Sequence, residues 1–106
     1  MIRTKVGVSL DSVDRLVFSA IATADTVLHW VGVDECWITS VNDGVHMDGS
    51  RHGLGLAFDM RSHNLTERAK RDVLDDLSRQ LGGDWDMVLE YVGEANEHFH
   101  AEYDPR

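Results

Sequence analysis

Cysteine is nearly missing from this chain of 106 residues: Cys36 is the one thiol. A lone cysteine cannot close an internal disulfide, so no disulfide framework is expected. It sits in the apolar, β-prone run Cys36-Trp37-Ile38-Thr39 and reads as a buried structural thiol, not as a ligand or nucleophile. Positive charge is also scarce. Ten Lys and Arg face 19 Asp and Glu, a formal net charge of −9. Nucleic-acid phosphates need clustered Lys and Arg, and anionic membranes need a basic surface, so neither is an expected partner. Long apolar runs are absent, which excludes a transmembrane helix. The opening residues, Met1-Ile2-Arg3-Thr4-Lys5, lead into Val6-Gly7-Val8-Ser9, a pattern without the apolar stretch of a secretory signal. Internal repeats, low-complexity tracts and linkers are missing too.

What remains, 42% hydrophobic and 27% charged, is the composition of an ordinary globular domain. The length fits a single domain over residues 1–106. Residues 9–31 predict an amphipathic helix, with Val13, Leu16, Val17, Ala20, Ile21, Ala24, Val27 and Leu28 recurring at three- and four-residue steps. Ser9 or Ser12 suits its cap and Gly32 its end. Residues 35–40 predict a strand, 41–53 a long loop with turn residues, and 56–61 a second strand. Alternation there places Leu56, Phe58 and Met60 on one face and Ala57 and Asp59 on the other. A second helix follows, with Asn64 and Glu67 spaced as a capping box, an apolar stripe of Ala69, Val73, Leu74, Leu77 and Leu81, and Gly82-Gly83 at its end. Residues 85–92 and 99–103 predict two more strands. The order points to an α+β fold with an antiparallel sheet and helices packed on one side.

Two segments carry the chemistry: Ser50-Arg51-His52-Gly53-Leu54-Gly55-Leu56-Ala57-Phe58-Asp59 and Glu97-His98-Phe99-His100. They supply imidazoles, a carboxylate ligand and a further carboxylate, the set that a hydrolytic zinc site needs. Gly53 and Gly55 let the backbone bend so that His52 and Asp59 converge. His98 and His100 share strand parity, so either can supply a ligand. Glu97 and His100 are an odd number of residues apart and face one metal only if the chain turns near residues 96–99. Gly93-Glu94-Ala95-Asn96 supplies turn residues for this.

The spacing Ser50-x-His52-x-x-Gly55-x-Ala57-x-Asp59, then Glu97-x-x-His100, resembles the zinc D-alanyl-D-alanine carboxypeptidase and L-alanyl-D-glutamate endopeptidase family, which cuts peptidoglycan stem peptides and shares its core fold with the Hedgehog signalling domain. The resemblance covers about half the chain. It implies one zinc ion held by His52, Asp59 and His100, Glu97 as general base, and Ser50 as a residue that orients a ligand. His98 then becomes a pocket or surface residue. Apart from the resemblance, His29 at the end of the first helix, where a cation is favoured, and His63 before the second helix's cap read as structural. The resemblance also implies a monomer with a peptidoglycan peptide as substrate, and, without a signal, a product that stays cytoplasmic until lysis releases it onto the wall.

One part of the pattern is not met. Relatives carry an arginine in a Ser-Gly-Tyr-Arg-like stretch upstream, placed to stabilise the oxyanion, whereas Thr39-Ser40-Val41-Asn42-Asp43-Gly44 has none. Arg51 and His46 are the candidates to replace it. Two competing readings are weaker. A Ser50-His52-Asp59 nucleophilic triad lacks a nucleophile elbow and leaves Glu97 and His100 without a role. A catalytically silent, metal-stabilised binding domain needs no general base, and the presence of Glu97 argues for the enzyme.

Overall fold

Asp14 opens the first helix by accepting a hydrogen bond from the Leu16 backbone N–H at 2.8 Å, which satisfies one of the donors a helix start leaves unpaired. In the computed structural model, which describes residues 1–9, 13–41 and 56–105, the elements run β1 (Ile2–Thr4), α1 (Arg15–Trp30), β2 (Cys36–Ser40), β3 (Ala57–Arg61), α2 (Glu67–Leu81), β4 (Trp85–Glu90) and β5 (His98–Tyr103). Helix α1 therefore starts later than the periodicity of its apolar residues predicts. It ends as predicted at Gly32, whose φ of +87° is a conformation that side chains resist. The Gly32 N–H donates to the His29 carbonyl and the Val33 N–H to that of Leu28, the paired closure typical of a glycine-terminated helix. Helix α2 is capped by Thr66, not Asn64: its hydroxyl accepts from the Ala69 N–H at 3.1 Å.

The five strands form one sheet in the order β1-β2-β3-β5-β4. Three pairings are antiparallel, as expected. The fourth is not. The short, exposed β1, which the sequence does not announce, runs parallel to β2.

The period of two along the strands divides the sheet into two faces. Phe58 and Met60 of β3, Phe99 and Ala101 of β5, and Cys36 and Ile38 of β2 point to one side and are fully buried. Against them pack Val17, Ala20, Ile21, Ala24, Val27 and Leu28 of α1 and Val73 and Leu77 of α2. This is the core, and the helices lie on its side of the sheet. Cys36 belongs to it: its thiol donates to Met60 Sδ at 3.5 Å, and burial pushes its pKa up to about 12.

One residue breaks the apolar stripe of α2. Lys70, Val73 and Leu77 are its three buried positions. A buried ammonium needs a charged partner, and Lys70 Nζ has one in Glu97 at 2.6 Å.

Candidate metal centre

The other face of the same strands is polar. Register sets Asp59 opposite His100 and Arg61 opposite His98 on β3 and β5, and His100 opposite Val88 and His98 opposite Glu90 on β5 and β4. Directly opposed residues in antiparallel strands share a face. Asp59, Glu90, His98 and His100 are thus gathered from three adjacent strands onto the face that the helices leave uncovered.

Their contacts are close. His100 Nδ1 donates to Asp59 Oδ1 at 2.7 Å and Nε2 to Glu102 Oε1 at 2.9 Å. The bond to Asp59 pushes the His100 imidazole up to about 9, with burial opposing the shift and Glu102 adding to it. His98 is held differently. Its Nδ1 donates to the Asn96 carbonyl at 2.8 Å, which leaves Nε2 aimed at Glu90 Oε1, 3.2 Å away, and Asp59 Oδ2, 3.7 Å away. A backbone carbonyl on one imidazole nitrogen is a common way to orient the other towards a metal.

Asp59, Glu90 and His98 could hold a metal ion: each offers a ligand atom, and these atoms lie within 4.8 Å of one another. His100 borders the same group, its Nδ1 lying 3.8 Å from Glu90 Oε1. Ligand atoms around a tetrahedral zinc at about 2.0–2.1 Å stand about 3.3 Å apart, so the spacings of 2.7–3.8 Å need only small side-chain shifts, and His100, which donates from both nitrogens, must give up a proton to bind. The donor set of imidazole and carboxylate suits zinc. A second cluster on this face, Asp86, Glu102 and Asp104, offers oxygen atoms only, a set better matched to harder cations.

The structure brings Asp59 and His100 together, as expected, and adds His98 and Glu90. It does not bring Glu97 to them. The chain turns between Tyr91 and Glu97, where the Glu94 N–H donates to the Tyr91 carbonyl and the Glu97 N–H to that of Glu94. Strand β5 is regular from His98 onward. The odd separation from His100 therefore leaves Glu97 on the helix side, 3% exposed. There its carboxylate accepts from Ser62 Oγ at 2.6 Å and from the Gly93 N–H at 2.8 Å, besides Lys70. Lys70 first, then Ser62 and Gly93, lower its pKa to about 2. A carboxylate so committed is a poor proton acceptor near neutral pH. The expected roles of His46, Ser50, Arg51 and His52 fall outside the described residues. His63, expected to be structural, donates through Nε2 to the Ala95 carbonyl at 2.8 Å.

Glu90 is the residue that motif reading passes over. Its signal lies in the alternation of β4, where Asp86, Val88 and Glu90 oppose Met87 and Leu89, but only the register with β5 carries it to the histidines. No family model, curated protein or solved structure matches the chain. Among the described residues no helix is long and apolar enough to cross a membrane.

Proposed function

We propose that the protein is a zinc-dependent hydrolase of amide bonds in peptidoglycan stem peptides, with the metal held at the open sheet face by Asp59 and His100 together with His52. The observation that carries this reading is the convergence of Asp59, His100, His98 and Glu90 from three strands, in a chain whose motif spacing resembles that of the zinc peptidases. Zinc would supply a Lewis acid and lower the pKa of a bound water. The acid–base role passes from Glu97 to Glu90, because Glu90 shares a face with His100 and Asp59 while Glu97 is consumed by Lys70. At 40% exposure, Glu90 can take a proton from solvent water and return it to a leaving amine. His98, fixed by Asn96, holds the Glu90 carboxylate at the site. Asp59, shared between the two histidines, sets their spacing.

The grouping of Asp59, Glu90 and His98 favours a second arrangement, in which His98 is the imidazole ligand and Glu90 binds the ion directly. One substitution separates the two. Digestion of purified peptidoglycan, with and without chelator and with released ends read by mass spectrometry, should show metal-dependent cleavage. Glu90→Gln should lower it at least about 10²-fold while zinc stays bound. Loss of zinc from Glu90→Gln would make Glu90 a ligand. Absence of cleavage by a zinc-loaded wild type would leave the metal-stabilised binding domain as the better account.

A further inference from the structure

Next to the histidine and carboxylate cluster lies an open cavity of about 320 Å³, lined by Lys5, Thr39, Arg61, His63, Asn96 and His98 among others. This volume is at the lower end of what small-ligand sites use. Its charge is opposite to that of the chain. Against a net −9, the cavity gathers one lysine and one arginine. Its acidic lining residue, Glu97, is already neutralised by Lys70 at 2.6 Å. Neither Lys5 nor Arg61 forms an ion pair with a described residue.

Arg61 is also prepared for a ligand. Its guanidinium lies over the Trp37 ring, 4.5 Å from the centroid, and the indole is fixed in turn by donating from Nε1 to Glu35 Oε2 at 2.7 Å. Stacking holds the planar fork in place while leaving its edge donors available, the arrangement that recognises carboxylates in bidentate fashion. Rotamer entropy has already been lost before a ligand arrives, which favours binding.

We propose that this cavity is an anion subsite that seats a carboxylate of the substrate beside the metal-competent cluster. His98 belongs to both, lining the cavity with its partner in register, Arg61, while its Nε2 faces Glu90 and Asp59. Opposed residues of antiparallel strands stand about 4.5–5.5 Å apart, so an anion at Arg61 lies about one residue's reach from the cluster. The fitting ligand is a peptide with a free carboxylate next to the amide to be cut. Stem peptides have this chemistry at the γ-linked D-glutamate, whose α-carboxylate is free, and at the terminal D-alanine. The identity of the ligand rests on the peptidase reading; the anion preference of the cavity does not.

The test uses the full chain without added metal, so that turnover is not required. The pentapeptide L-Ala-γ-D-Glu-L-Lys-D-Ala-D-Ala and its fully amidated twin are titrated while the Trp37 indole N–H and the Arg61 Nε–H are followed by nitrogen-15 NMR. The free acid should move both signals and bind at least about tenfold more tightly than the amide, as a charge-assisted bidentate contact implies. Arg61→Gln and the surface change Lys5→Gln should each reduce that preference to about threefold or less. Equal binding of acid and amide, or shifts confined to other residues, would overturn the subsite. Failure of the peptidase reading looks different. If the acid preference holds at Arg61 but no metal supports cleavage, the subsite stands and the peptidase falls. If acid and amide are cut with the same KM, the reverse is true.

Discussion

The two faces of strands β3 and β5 are made from alternate residues of the same short segments, yet they are built to opposite rules. On one, Phe58, Met60, Phe99 and Ala101 are at most 1% exposed and meet the helices. On the other, Asp59, His98 and His100 are about one-fifth exposed and meet each other. The apolar core and the polar cluster are thus separated by one residue step, the smallest separation a strand permits. Glu97 shows how strict the rule is. One position before His98, it falls on the stabilising side and is absorbed into a buried ion pair. The motif places it three residues before the expected ligand His100, and the pleat places it behind the sheet.

The contrast can be broken from either side. The largest effect belongs to the core face. Phe58→Ala should cost about 3–5 kcal/mol, the range for emptying a packed aromatic site, measured by urea unfolding of the metal-free protein. The protein that remains folded should still bind zinc. Asp59→Ala, its neighbour on the open face, should do the opposite. Zinc affinity, read by competition with a chromophoric chelator, should fall at least about 10²-fold, while metal-free stability falls less than for Phe58→Ala, through loss of the Asp59–His100 pair. If Asp59→Ala unfolds the protein as readily as Phe58→Ala, the two faces are not separate.

Glu97→Gln sharpens the comparison. It removes the buried partner of Lys70 and leaves that ammonium only the exposed Glu67, 2.9 Å away, so the melting temperature should drop by about 5 °C, with zinc affinity unchanged. A loss of zinc would place Glu97 at the metal after all. The pH dependence has a definite sign. Glu97 is lowered to about 2 in the folded protein from an ordinary 4.5. Its contribution is therefore complete above the ordinary carboxylate range and is lost as pH falls from there towards 2. Acid unfolding of the wild type should steepen across that window, and Glu97→Gln should flatten it. The smallest effect is at Cys36, held at about 12 by burial. It should resist alkylation at pH 8 in the folded protein and react once urea unfolds it.

Much of this is legible in the sequence. The apolar stripes of α1 and α2, the glycine ends of both helices, the buried Cys36, and the alternation that puts Asp59 opposite Phe58 are local patterns, and local patterns can be read from one stretch of chain. Whatever depends on which strand lies beside which could not be read. Strand β1 is three exposed residues whose pairing to β2 is long-range. Glu90 becomes a site residue only through its register with His98, which no local signal fixes. Lys70 is buried on α2 without any local signal for it, and only the packing of the helix against the sheet shows that it needs an anion and that Glu97 supplies one. The caps moved to Asp14 and Thr66 because side chains that bond their own helix start compete with neighbours of nearly equal propensity.

The face around Asp59 is proposed to be a metal centre. The most direct measurement is an anomalous difference map at the zinc edge from crystals grown with one equivalent of zinc. The account predicts a single strong peak about 2.0–2.2 Å from a carboxylate oxygen of Asp59 and from a ring nitrogen of His98 or His100. A peak at Asp86, Glu102 and Asp104 instead, or none on this face, would contradict it.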